Sequence, residues 1–417
     1  MIIRPLDPFS EVVDERRRWT PDWYGWLQDT TQQIGSWNNT SYFANSDYLL
    51  MNGDNHKTIA LGGNVFYTLS IGAASSYDAN FNVVIVNTDN YPGGRAKKIA
   101  IAGRPTSPPL LLWPGQGFFL YTAPISSTGT PDWQAIPSDP IPLRWEVPAT
   151  ANLFVNTATG NDDNDGLVST TGGPLLTVQR AVNVVGSLWD IGARLVTINV
   201  VGAPVNGVVI EGPWVGTGVV QIQGDNVTPS NVTWHTVNDP CVLVRGAGRV
   251  VLKGFKVLSD NNSAVVADGA GSILINNKME YGQSGLAHLQ VGNYGAININ
   301  SANADYIISG GAGSIPSTLG WHYLAQLGGS IQVDGRTMTL SASVLFGGSF
   351  AAANGGIILV GGNAGANYVN PANAGVTKKF AITGGGNINT NTAGNVNFFP
   401  GSTAGTPGAP LTGGFYA

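Results

Sequence analysis

Four acidic residues in the C-terminal half, Asp239, Asp260, Glu280 and Asp305, follow one another at intervals of 21, 20 and 25 residues. Paired carboxylates do acid–base work on acetals. Glycoside hydrolysis needs two, about 5–5.5 Å apart for retention or about 6.5–9.5 Å for inversion. If each interval is one turn of a coil whose turns stack about 4.8 Å apart, neighbouring acids meet the first spacing and alternate acids the second. Glu280-Tyr281 and Asp305-Tyr306 also repeat an acid–aromatic pair, and an aromatic face stacks on sugar. Asp260, Glu280 and Asp305 are therefore the candidate catalytic acids, should the chain be an enzyme. The plainer alternative is a set of charges on solvated corners, kept apart by register.

Tyr281, Tyr306, Trp321, His322 and Tyr323 are the candidate ligand-binding residues. The last three follow Gly310–Gly320, an insertion, and loops on a rigid scaffold carry binding groups; packing against a partner chain would use the same side chains. Asp162, Asp163 and Asp165, beside Asn161 and Asn164, are weak candidates for calcium, which takes carboxylate and amide oxygens. The same residue types close turns without any metal. His56, His235, His288 and His322 lack metal-ligand spacing, and no Walker or dinucleotide fingerprint occurs, so no cofactor is expected. Cys241, the single cysteine, reads as a small buried hydrophobe.

What must position these residues is a recurring β-branched run behind glycine: Gly248-Arg-Val-Val-Leu252, Gly271-Ser-Ile-Leu-Ile275, Gly295-Ala-Ile-Asn-Ile299, Gly329-Ser-Ile-Gln-Val333, Gly356-Ile-Ile-Leu-Val360 and Gly386-Asn-Ile-Asn389. With Val250, Ile273, Ile297, Ile331, Ile357 and Ile388 as markers, the gaps are 23, 24, 34, 26 and 31 residues. Such a period means a solenoid, propeller or array. Several short runs within each period point to a right-handed parallel β-helix, with glycine at corners for its left-handed dihedrals. A β-sandwich with strands every 8–12 residues is the competing architecture.

Glycine is 57 of 417 residues and only 11% are charged, against a usual ~25%. The net charge of −5 and the lack of a basic stripe argue against nucleic-acid binding. No apolar stretch approaches 18 residues, so no membrane insertion is expected. No signal h-region opens the chain, which is expected to be made in a cytoplasm and not exported by the common route.

The expected fold class is all-β, in four parts. Residues 1–57 form an N-terminal helical attachment segment: Thr20-Pro21 starts a helix, and Trp19, Trp23, Trp26, Leu27 and Ile34 supply an aromatic face. That face either packs on the next domain or docks to a larger assembly; Gly35–Lys57 reads as loop. Residues 58–148 form a small antiparallel β-sandwich-like domain, with a hairpin at Trp113–Gly117 and a stiff linker over Pro131–Pro148. Residues 149–192 hold an opening strand, a polar turn and an amphipathic helix, Leu175–Trp189, which caps the coil. Residues 193–417 form the parallel β-helix, closed by Phe398-Phe-Pro400 and Phe415-Tyr416.

Phe154-Val-Asn-Thr-Ala-Thr-Gly-Asn-Asp-Asp-Asn-Asp-Gly166, followed by Thr177-Val-Gln-Arg-Ala181, resembles the opening motif of the pectate-lyase-like β-helix superfamily, in particular the tail-spike and tail-fibre proteins of phages and prophages. The resemblance covers roughly residues 151–400. It is specific for the fold and weak for chemistry, since lyases, hydrolases and inert scaffolds share it. It implies a virion structural protein: a homotrimer attached through its N-terminus to tail, baseplate or capsid proteins, displaying a β-helix to a host cell-surface glycan. A tail-spike glycan depolymerase and a head fibre or capsid-bound spike are the alternatives.

Overall fold

The computed structural model describes residues 40–44, 46–55, 57–78, 81–89, 93–104, 110–124, 131–136, 144–147, 149–299, 305–313, 320–334, 336–341, 344–361, 367–375, 377–390, 398–406 and 415–416. The protein is mostly β and divides into two units, residues 1–143 and 144–417. The N-terminal aromatic helix expected around Trp19, Trp23, Trp26, Leu27 and Ile34 lies outside the described residues.

The first unit departs from the expected antiparallel sandwich. Its early strands alternate between two sheets. Thr40–Ala44, Lys57–Gly62 and Asn82–Asn87 enter one, and Tyr48–Leu49, Thr68–Ile71 and Lys97–Ile101 the other. A chain that crosses over after every strand returns to each sheet in the same direction, so these neighbours pair in parallel. Only Leu110–Leu112, Gly117–Pro124 and Pro131–Ile136 pair antiparallel. Trp113–Gly117 is a turn between sheets rather than a hairpin, and Pro131–Ile136 is a strand rather than linker. Thr40–Ala44 and Tyr48–Leu49 likewise replace the expected loop. Ile59, Leu69, Phe81, Ile85, Ile99 and Trp133 share one core. Beside it the buried Lys97 ammonium meets Asp89 at 2.7 Å and donates to the Val65 carbonyl at 2.7 Å.

The second unit holds parallel sheets of ten, seven and six strands. From Val219–Gln223 to Asn387–Asn389 the chain visits the ten-, six- and seven-stranded sheets in unbroken rotation, and each strand pairs with its equivalent one circuit on. Every named strand pair here is parallel, unlike an antiparallel sandwich and compatible with a β-helix. Side chains alternate across a strand, so one residue per circuit stacks inward: Val220, Val250, Ile273, Ile297, Ile331, Ile358 and Ile388, all buried. The sequence marker Ile357 is off by one. It faces out, 40% exposed, and its neighbour Ile358 takes the place in the column.

The glycine that precedes these strands has a reason other than its dihedral freedom. A Cβ built on Gly271 would lie 2.3 Å from the Val244 carbonyl oxygen, and one on Gly295 2.1 Å from that of Ala267. The previous circuit leaves no room there. Left-handed backbone falls one or two residues earlier, at Gly269 and at Asn293 and Tyr294.

The first circuit leaves three sheet edges that need covering. On the ten-stranded sheet, Ala151–Asn156 is met by the polar turn: Phe154 N donates to the Gly166 carbonyl and Asn156 N to that of Leu175. On the seven-stranded sheet, Val208–Glu211 is met by Gln179. Its amide accepts from Val209 N at 2.8 Å and donates to Val209 O at 3.0 Å, like a strand partner. On the six-stranded sheet, His235 N donates to the Pro204 carbonyl. Gln179 belongs to the helix Val178–Leu188, whose N-cap Thr177 accepts from Arg180 N. The helix buries the expected Val178, Ala181, Val182 and Val185, and also Val184; Trp189 is buried too but already belongs to a short strand.

Gly295→Ala should therefore lower stability by about 2 kcal/mol or more relative to Gly292→Ala, whose Cβ meets only a side-chain oxygen at 3.2 Å. Urea unfolding of both variants checks this; equal midpoints would contradict the steric account.

Candidate functional site

Of the three candidate acids only Glu280 lies within the six-stranded sheet; Asp260 directly follows its strand Lys256–Ser259 and Asp305 directly precedes Tyr306–Ile308. Glu280 is level with Lys256 on the previous circuit and Ile307 on the next. Asp305 stands two positions before Ile307. Asp260 follows Lys256 by four residues, past an irregularity in the pairing. At about 3.3 Å per residue, Asp260 and Glu280 are some 13 Å apart along the strand, beyond either hydrolase spacing, whereas the backbones of Glu280 and Asp305, two positions and one circuit apart, lie about 8 Å from each other, within the inverting range. Each carboxylate also has its own partner. Glu280 is buried, ion-paired with Lys256 at 2.7 Å, and accepts from Ser309 Oγ at 2.6 Å. Asp260 meets His235 at 2.7 Å on the surface, and Asp305 accepts from Thr337 N at 2.8 Å on the far circuit. The acids serve as ties between circuits, and the unequal circuit lengths that displaced them were visible only as unequal gaps.

The candidate ligand-binding aromatics are corrected more sharply. Tyr281, Tyr306, His322 and Tyr323 are buried inside the coil, and only Trp321 is partly exposed. A buried ring cannot stack on an external sugar. Tyr306, His322 and Tyr323 form an interior polar chain with His288 and Met338, neither of which is among the expected binding residues, and the Tyr281 ring packs against the two imidazoles. His288 Nε2 lies 3.2 Å from the Gly311 carbonyl, His288 Nδ1 2.8 Å from His322 Nδ1, and His322 Nε2 2.9 Å from the Tyr306 hydroxyl. The Tyr306 and Tyr323 hydroxyls touch each other, and both approach Met338 Sδ, at 2.8 and 3.1 Å.

One donor direction satisfies this chain with both imidazoles neutral. The Gly311 carbonyl only accepts, so His288 carries its proton on Nε2 and accepts at Nδ1. His322 then donates from Nδ1 and accepts at Nε2 from Tyr306, whose oxygen accepts from Tyr323. Burial holds both histidines neutral, pushing His288 down to about 4 and His322 well below its ordinary value. Phe346 packs edge-on against His322 and Phe350, and Phe350 meets His322 at a tilt. Every member of the chain is buried, and its polar groups constrain how the interior packs. A signal for it existed: His288 and His322 are 34 residues apart, the same interval as the paired Ile297 and Ile331.

The acidic turn is structural as well. Asp162 Oδ1 accepts from Leu176 N and Thr177 N at 2.8 Å each, and Oδ2 from Thr177 Oγ1 at 2.7 Å. Asp165 is buried and accepts from Leu167 N at 3.0 Å. Asp163 N donates to Asn161 Oδ1 at 3.0 Å. These bonds fold the turn over the sheet edge and anchor the helix start. Among the described residues no group of three or more His, Cys, Asp or Glu side chains is placed to hold a metal ion. No helix there is long and apolar enough to cross a membrane.

The buried histidines make stability pH-dependent. The unfolded chain protonates His288 near pH 6.5 while the folded chain resists until about 4. The unfolded state therefore binds more protons in that window, and stability falls as pH falls through it, by on the order of 3 kcal/mol for His288. Denaturant midpoints from pH 7 to 4.5 should drop in the native chain and drop less in His288→Gln; parallel profiles would refute the assignment. The Tyr281 hydroxyl is buried with no partner among the described residues. Tyr281→Phe should thus be neutral or stabilising by up to about 1 kcal/mol, whereas Tyr306→Phe should cost about 1–3 kcal/mol, both read from urea midpoints.

No family model matches the chain, and neither a curated protein nor a solved structure matches it.

Proposed function

We propose that the chain is a virion structural protein, a trimeric tail fibre or tail spike that presents a right-handed parallel β-helix to a glycan on the host surface. Residues 1–148 serve as its anchor to tail, baseplate or capsid proteins. The observation that carries this reading is the unbroken rotation through three parallel sheets, joined to the opening motif at Phe154–Gly166. A filled coil with its first edges covered is a stiff rod, suited to holding a surface away from its anchor. The helix Val178–Leu188 acts as the lid at one end.

Three-fold assembly draws support from the outer wall of the ten-stranded sheet. Leu195 and Val219 pair on adjacent circuits and are 38% and 46% exposed, and farther along the same wall, beyond Arg249, Ser272, Ala296 and Ser330, Ile357 and Leu359 are 40% and 37% exposed. Heterologous packing of this wall against neighbouring copies in a ring would bury these side chains. Against a depolymerase stands the engagement of the one suitably spaced pair: Glu280 is tied to Lys256 and Ser309, and Asp305 to Thr337 N.

Light scattering of the full chain should give the mass of three copies, and Ile357→Asp with Leu359→Lys should shift it toward one. Host surface polysaccharide should be retained by the chain and keep its length on incubation. A monomeric mass would refute the assembly, and shortened polysaccharide would overturn the non-enzymatic role.

A further inference from the structure

The interior of the coil is filled, so any recognition chemistry belongs to its outside. One concavity there combines an aromatic face with unspent hydrogen-bonding groups. It lies between the helix Val178–Leu188 and the corner that follows Val208–Glu211, with a volume of about 440 Å³. That falls within the ~300–1,000 Å³ of small-molecule sites. Its lining includes Gln179, Asn183, Val209, Glu211, Trp214 and Arg245.

Each polar group there is oriented by a bond that leaves part of it open. Gln179 spends its amide on Val209 and donates to Asn183 Oδ1 at 2.9 Å. The Asn183 Nδ2 hydrogens are then without a protein acceptor among the described residues. Glu211 Oε1 accepts both Arg245 Nε, at 2.7 Å, and Arg245 Nη2, leaving Glu211 Oε2 as an acceptor and Arg245 Nη1 as a donor. The half-buried Trp214 is pinned by its indole N–H, which donates to the Arg249 carbonyl at 2.5 Å. Its ring edge stands beside Gly186, where a Cβ would sit 3.5 Å away.

We propose that this groove binds a neutral saccharide. The Glu211–Arg245 pair cancels its own charge, so an anionic or cationic ligand would have to displace one partner. Adjacent sugar hydroxyls both donate and accept, matching a carboxylate oxygen, an amide and a guanidinium held within one small groove. The C–H face of a pyranose covers an indole ring, whose apolar body and polar tip suit a surface that is partly wet. The site deepens the surface-recognition function and rests on that reading for the source of the sugar.

The test uses the full chain on a printed array of neutral di- to tetrasaccharides of glucose, galactose, rhamnose and N-acetylhexosamines, their uronic acid counterparts, and bacterial surface polysaccharides. Trp214→Ala and the exposed Asn183→Ala are run alongside, with thermal melts to confirm that each is folded. At least one neutral oligosaccharide should bind, with affinity falling tenfold or more in Trp214→Ala and threefold or more in Asn183→Ala, and uronic acid counterparts should bind more weakly. Neutral binding that both variants retain in full would overturn the groove. So would binding of polysaccharide spots alone that neither variant weakens, and in both cases surface recognition stands. A native chain that binds no spot would overturn the groove and the surface-recognition reading together.

Discussion

The backbone ladder between successive circuits is the constraint that everything else in the second unit obeys. Parallel strands one circuit apart must sit about 4.8 Å from each other, so a residue is stacked on its equivalents above and below before its side chain is considered. An inward β-branched residue packs well on such a stack, which is why Ile273, Ile297 and Ile331 follow one another without a gap. The same ladder presses corner backbone against corner backbone. At Gly271 and Gly295 the carbonyl of the previous circuit occupies the space a methyl group would need. Glycine there is a consequence of stacking, and the left-handed turn residues beside it shape the corner separately.

A ladder has ends, and the ends explain features that looked chemical. A strand with nothing beneath it exposes unpaired N–H and C=O groups. The Asp- and Asn-rich turn, the Gln179 amide and the Pro204 carbonyl each satisfy one of the three first edges. Asp162 has both oxygens committed to the start of the helix, so a segment with the composition of a calcium loop does the work of a cap. Carboxylates farther along are used in the same way. The Glu280–Lys256 and Asp260–His235 contacts each join one circuit to the next.

Much of this was legible in the sequence, and the failures have identifiable physical causes. The glycine-led runs fix the circuits because the inward column tolerates few residue types. The apolar pattern of Gly356-Ile-Ile-Leu-Val360 leaves both parities open, but spacing does not: every other marker stands two residues after its glycine, which picks Ile358, the residue that pairs with Ile331. Asp260 failed through register, since circuits of unequal length cannot keep residues aligned that are merely similar in spacing, while Glu280 and Asp305 are each held by partners of their own. His322 and Tyr323 failed through polarity, since polar aromatics behind a glycine-rich insertion look like a surface loop, and Tyr281 failed because the strand alternation turns it inward beside an outward Glu280. In the first unit, strands such as Lys57–Gly62 and Asn82–Asn87 carry ordinary alternation, and nothing local tells whether the next strand turns back or crosses to the other sheet. Pairing direction is a property of the connection, not of the strand.

The polar interior follows from the same variation in circuit length. The longest interval, which contains Gly310–Gly320, brings in side chains larger than the Val and Ile that fill the column elsewhere. Tyr306 and Tyr323 come from it and meet Phe350 and Phe399 of later circuits. Large aromatic and imidazole rings bring N–H and O–H groups that cannot stay unpaired in a dry core. Two neutral histidines and two tyrosines resolve this by donating in a single direction toward the Gly311 carbonyl, and reversing any one proton breaks a neighbouring bond. Such a chain discriminates among packings more strongly than it stabilises one of them, because a slipped register would strand several polar groups at once. In a coil built from near-equivalent stacked rungs, where a slip otherwise replaces one aliphatic contact by another, a single polar layer of this kind pins the alignment of the rungs on either side.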